Sequence, residues 1–254
     1  MTNLGSGLGW GLAVVASLMA GALLASRVKL SERVAAPIAA FGGGVLLAAV
    51  ALELVPDADQ QAGLGPTAAG MLLGTAVFVG ADALLSRNES TDKVRRSGHA
   101  AAAGRRMTPM NRKEAARGES IATGILVDGV PESIALGLTV AAGELGVALL
   151  VGVIVGNLVE AYGAVRPIIA SGHSQRFALG LIAAIGLTLA GATVLGATLL
   201  ADASPTLVGG AQAVAAGGML AVVSISIIPY AFAEVSRMVA VAVVAGFVGG
   251  YLLS

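Results

Sequence analysis

The chain contains no cysteine, which excludes disulfides, thiolate metal sites and cysteine nucleophiles. Charge is scarce as well: 12% of its 254 residues are Asp, Glu, Lys or Arg, against the roughly 25% with which a soluble domain covers its surface. Hydrophobic residues reach 56%, so the composition is that of a membrane protein. Aromatic residues are only 4%, which argues against a β-barrel with aromatic girdles and leaves α-helices as the spanning element. The 15 basic and 15 acidic residues cancel, so net charge points to no partner and nucleic acid is not expected as one. There is no Walker A motif, Rossmann fingerprint or nucleophile elbow, which argues against ATP-driven pumping and against a bound prosthetic group.

What is abundant is glycine, 36 residues, about twice the usual share of about 7%. With the many alanines it supplies the small faces through which helices approach in lipid. Apolar runs of about 18 residues or more lie near Leu8–Ser26, Val34–Val55, Ala68–Ser86, Glu119–Ala142, Gly146–Ile169, Phe177–Leu200, Thr206–Tyr230 and Met238–Leu253. Nothing basic precedes the first run and Arg27, Lys29 and Arg33 follow it, so it reads as a span and not as a signal peptide. Every Lys and Arg falls in 27–33, 87–117, 166–176 or at Arg237. Eight spans with both termini outside put all of them on the cytoplasmic side, as the positive-inside bias requires. The connections assigned to the outside hold Asp57, Asp59, Glu144 and Asp202 and nothing basic.

The expected fold class is therefore all-α integral membrane: a single polytopic domain over 1–254, lodged in the cell membrane with the lipid bilayer as partner. Residues 87–118 form the one long polar segment, read as a flexible basic cytoplasmic loop attracted to anionic lipid. It carries His99, and His173 lies in another cytoplasmic link, so neither histidine is in a span.

The informative residues are acids inside spans, since an ionised carboxylate at the bilayer centre costs at least about 2.5–3.5 kcal/mol. Asp128 and Glu132 fall near the middle of span 4, Asn157 and Glu160 near the middle of span 5. The spacings i, i+4 and i, i+3 put each pair on one helix face, about 5–6 Å apart at Cβ. With no Lys, Arg or His in the central membrane, these acids repel one another unless protonated or neutralised from outside the chain. A bound cation is the economical answer. The all-oxygen donor set suits harder divalent ions such as Mg²⁺ or Mn²⁺, while Zn²⁺ and Fe²⁺ also bind carboxylates. Acids acting as hydrogen-bonded glue between helices are the plainer alternative. Pro131 cannot donate to the Val127 carbonyl, so a kink there is expected to offer a further oxygen. Glu53 and Asp57, near the outer end of span 2, are candidates for an acidic entrance that concentrates cations. Asp82, Glu119 and Glu234, at inner ends, read as solvated, and Ser224 and Ser226 as back-bonded hydroxyls.

These residues resemble the ZRT/IRT-like (ZIP) divalent-metal transporters: Gly43-Gly44-Val45-Leu46-Leu47 to Leu54-Val55-Pro56-Asp57 in span 2, Asp128-Gly129-Val130-Pro131-Glu132-Ser133 in span 4, and Asn157-Leu158-Val159-Glu160 in span 5. The resemblance covers nearly the whole chain, including eight spans with a long loop after the third. Where that family usually reads His-Asn-x-Pro-Glu, this sequence has Asp128 for the histidine and Gly129 for the asparagine, and it keeps Glu132. In span 5, Asn157 and Glu160 match, Gly156 has no side chain to contribute and Val159 replaces a proline. Glu53 stands where span 2 commonly has a histidine. Around Pro229 in span 7, acids common in the family appear as Ile225, Ser226 and Tyr230. The resemblance implies one cation site of Asp128, Glu132, Asn157 and Glu160, a bacterial branch, and no transfer of zinc selectivity without test. It also implies a homodimer, with which the small-residue faces agree.

The expectation is thus a secondary transporter of a divalent metal cation such as zinc, manganese or iron, which is its substrate, and not an enzyme. A non-transporting ZIP-like metal sensor or scaffold is the alternative. An intramembrane enzyme using Asp128 and Glu132 as an acid/base pair would lack a nucleophile.

Overall fold

A computed structural model describes residues 3–28, 30–86, 118–141, 146–170, 172–200 and 203–254. The basic segment at 87–117, with His99, lies outside the described residues, as do Glu144 and Asp202 and the side chains of Asp82, Glu119 and Asp128. Every described element is helical, as a backbone among hydrocarbon chains requires, because lipid offers no partner to a bare N–H or C=O. The helices are α1 (Asn3–Arg27), α2 (Glu32–Ala49), α3 (Val55–Ala62), α4 (Leu64–Ser86), α5 (Gly118–Ala141), α6 (Val147–Ala170), α7 (Gln175–Leu199), α8 (Pro205–Val222), α9 (Ile228–Val235) and α10 (Met238–Leu253). Among the described residues seven stretches are long and apolar enough to cross a membrane, and α10 is a shorter apolar helix. The chain is a multi-pass, all-α membrane protein.

Two of the stretches continue past the ends expected from hydropathy. Pro56 and Pro229 each sit at the second position of a short helix, α3 and α9, preceded by a five-residue π-helical segment, Val50–Leu54 and Val223–Ile227. A proline removes one amide donor and crowds the turn before it. The chain widens by one residue there, so that the N–H groups of Val55 and Ile228 reach the carbonyls of Val50 and Val223. The helix then carries on to Ala62 and to Val235. Pro131 behaves differently: α5 stays helical through it, and the Val127 carbonyl loses its partner only because proline has no N–H.

The packing repeats itself. The helices α1 and α7 cross antiparallel, with Gly11 against Ala190 and Gly186 against Val15. Exchanging each residue for its counterpart turns one contact into the other. Likewise Gly21 on α1 admits the Leu158 carbonyl of α6, and Gly196 on α7 admits the Ile134 carbonyl of α5. Gly44 on α2 faces the Val243 carbonyl of α10, and Gly217 on α8 faces the Met71 carbonyl of α4. Thus α1–α4 match α7–α10, α5 matches α6, and a pseudo-two-fold relates the halves. The neighbour order α10, α2, α6, α1, α7, α5, α8, α4 reads the same from either end. The terminal members α4 and α10 expose Leu72, Leu73, Val77, Val241, Val244 and Val248, the surface expected against lipid.

One connection is tied to the core directly. The Tyr162 hydroxyl, buried on α6, donates to the Val28 carbonyl at 3.1 Å and accepts from the Leu30 N–H at 2.7 Å, pinning the turn between α1 and α2. Tyr162→Phe leaves both backbone groups without that partner, a loss of about 1–3 kcal/mol. Thermal unfolding of the purified variant in detergent is expected to show a melting temperature several degrees lower.

Candidate functional site

Glu132 and Ser133 are carried by α5, and Asn157 and Glu160 by α6; the two helices touch at the middle of the bundle. Glu132 is 5% exposed, Asn157 1% and Ser133 0%, while Glu160 is half-buried. Such burial of a carboxylate and an amide inside an apolar helix bundle is costly, so it is maintained by the packing around it. That packing is the pair of glycine contacts just described. Leu158 and Ile134, whose carbonyls rest on Gly21 and Gly196, are the residues immediately after Asn157 and Ser133. With no Cβ on the facing helix, α1 and α7 clamp α5 and α6 at equivalent points.

The pseudo-two-fold makes Asn157 the counterpart of Ser133 and Gly156 that of Glu132. Asn157 Nδ2 and Ser133 Oγ are both sealed from solvent with no hydrogen-bond partner. A Cβ on Gly156 would meet nothing within 4 Å, so α6 is open beside Asn157 at the position whose counterpart on α5 carries Glu132. Buried polar atoms of this kind call for a partner such as water or an ion. An asparagine whose amide turns over presents its oxygen in the same place.

Among the described residues no group of three or more His, Asp or Glu is gathered closely enough to hold a metal ion. The described acids of the site are Glu132 and Glu160. Asp128 lies on α5 one turn before Glu132, and its side chain is outside the description. Glu53 lies in the first π segment and Asp57 on α3; both are half-buried, and Glu53 Oε2 and Asp57 Oδ2 are sealed from solvent. His173 stacks on Phe177 with ring centroids 4.4 Å apart, beside the Ser174 cap of α7. Ser226 is 9% exposed, whereas Ser224 faces outward.

Sequence reasoning passed over Gln61 and Gln212. Gln212 on α8 is completely buried, and its Oε1 accepts from Gln61 Nε2 on α3 at 3.1 Å. A signal was available: Gly44 precedes Pro56 by the same interval as Gly217 precedes Pro229, the internal repeat that aligns these segments. Comparison with protein-family models and with curated proteins finds no match.

Proposed function

We propose that the chain is a secondary transporter that carries a divalent metal cation across the cell membrane through Asp128, Glu132, Asn157 and Glu160. In this reading all eight apolar stretches span, both termini lie outside, and the 87–118 segment is cytoplasmic. The observation that carries it is the burial of Glu132 and Asn157 at the crossing of α5 and α6, the two helices the pseudo-two-fold exchanges. Inverted repeats around a midplane polar site are the architecture of many secondary transporters, in which one part rocks against the other about a fixed site. Carboxylate and amide oxygens favour a hard or borderline divalent ion over a soft monovalent one.

The decisive experiment is uptake by purified protein in liposomes, with Zn²⁺, Mn²⁺, Fe²⁺, Cd²⁺, Co²⁺ and Mg²⁺ offered one at a time and internal metal recorded. Uptake of at least one ion above protein-free liposomes is expected. Binding without uptake would mean a sensor or scaffold. Asp128→His is expected to move preference toward Zn²⁺ or Cd²⁺, because imidazole suits these softer ions better than a carboxylate. Unchanged relative rates across the six ions would remove Asp128 from the ligand set.

A further inference from the structure

The two π segments and the short helices after them carry polar residues in register. Along the first half of the repeat these are Glu53, Asp57 and Gln61; at the matching positions of the second half stand Ser226, Tyr230 and Glu234. Each file starts at the widened turn and ends at the last turn of its short helix, α3 or α9. Most other positions on these turns are apolar. The α3 file packs along α8: a Cβ on Gly209 would meet the Ala58 carbonyl and the Cβ of Gln61 and Ala62. The α9 file packs along α2, where Tyr230 is buried among Ala36, Ala39, Ala40 and Val159. Val159 immediately precedes Glu160, so this file lies against the turn of α6 that carries the acid of the candidate site.

The two ends of the repeat are not equivalent. At the α3 end the Gln61–Gln212 hydrogen bond of 3.1 Å joins α3 to α8. Gln212 Nε2, on a fully buried side chain, has no hydrogen-bond partner at all. At the α9 end the counterparts are Glu234 for Gln61 and Ala39 for Gln212, and alanine has no polar atom with which to close the same bond. Val235, next to Glu234, packs against the cluster that holds Ala39.

We infer that these files are the two halves of the ion's path, that the Gln61–Gln212 pair is the gate closing the α3 half, and that the α9 half has no matching clasp. The pair is a neutral hydrogen bond between two side-chain amides on different helices, weak enough to open and able to solvate a passing cation through its carbonyl oxygens. Asp57, one turn below Gln61, receives the ion behind the gate; Ser226, Tyr230 and Glu234 pass it to the other side. This rests on the transport reading for what moves, but water access along the files is measurable whether or not any ion does.

The chain has no cysteine, so single thiols can be introduced without background. Asp57→Cys, Ser226→Cys, Glu234→Cys and the outward-facing control Phe232→Cys are treated in sealed membrane vesicles with a charged, membrane-impermeant methanethiosulfonate, from each side separately. Thiols at 226 and 234 are expected to react from the α9 side at least about tenfold faster than at 232, because a thiol in apolar surroundings ionises poorly. The thiol at 57 is expected to be slow from the α3 side and to accelerate about tenfold when Gln212→Leu, or Gln61→Ala where that does not fold, opens the gate. Ala39→Gln, which supplies the missing amide opposite Glu234, is expected to slow the reaction at 226. Thiols at 226 and 234 no faster than at 232 would show the α9 file to be dry and overturn its half of the path. A rate at 57 indifferent to the loss of either glutamine would overturn the gate. Failure of uptake in liposomes, with both labelling patterns as expected, would instead count against the transport reading alone.

Discussion

Glu132→Ala and Glu160→Ala are each expected to reduce the proposed metal uptake by more than about 100-fold, with the protein still folded. The site is expected to contain three carboxylates and one amide, and loss even of a supporting group around a metal costs about 10–100-fold. Removing a charged ligand from so small a set costs more. Folding is expected to survive because backbone contacts hold the two helices independently of the acids: α5 and α6 are clamped at Ile134 and Leu158, against Gly196 and Gly21. Replacing a buried carboxylate by a methyl group also relieves desolvation, at least about 2.5–3.5 kcal/mol for an ionised group near the bilayer centre. The measurement is initial uptake rate in liposomes beside size-exclusion profile and melting temperature. A variant with native melting and native uptake would dissolve the site. One that loses uptake only because it aggregates would place the acids in the structure and not in the path.

Gly217→Leu is expected to prevent the native fold, as is Gly44→Leu. Each glycine is the point at which one helix backbone touches another: Gly217 meets the Met71 carbonyl and Gly44 the Val243 carbonyl. The facing helices return the contact, with Gly74 against the Val214 carbonyl and Gly246 against that of Phe41. A side chain has nowhere to go, since the obstacle is backbone, and overpacking against a fixed backbone costs more than about 3 kcal/mol. In lipid no hydrophobic effect between helices compensates, because the tails are as apolar as leucine. Gly80 and Gly191, beside which a Cβ would meet nothing within 4 Å, are the controls, and Gly80→Leu and Gly191→Leu keep the native elution volume. Native elution and melting for Gly217→Leu would show that close approach of α8 to α4 is not required.

The helical class and the positions of the apolar stretches were legible in the sequence because the solvent dictates them. A backbone in hydrocarbon must bond to itself, and 56% hydrophobic residues with 12% charge leave no other environment. The same reasoning singled out Glu132, Asn157 and Glu160, since polar groups are expensive in apolar surroundings, and the structure finds Glu132 and Asn157 buried at the crossing of α5 and α6. Hydropathy ended the second and seventh spans near their prolines, where the structure continues through a widened turn for more than one further helical turn. A proline forbids one hydrogen bond but does not say whether the chain stops or adds a residue to go around it; that is settled by the neighbours it packs against.

The distinction between equivalent and inequivalent residues also belongs to the tertiary structure. Gly44 and Pro56 share their spacing with Gly217 and Pro229 in the sequence, but only their contacts show that the two segments are structural counterparts. Gln61 and Gln212 are unremarkable polar residues near helix ends until a fold brings α3 onto α8 and buries the second completely. Composition and spacing are properties of each helix in its solvent, so the sequence alone determined the helices and marked the acids they carry. Which helix faces which depends on the matching of glycines to distant carbonyls, and the sequence holds that matching only as a long-range correspondence that the packed bundle makes visible.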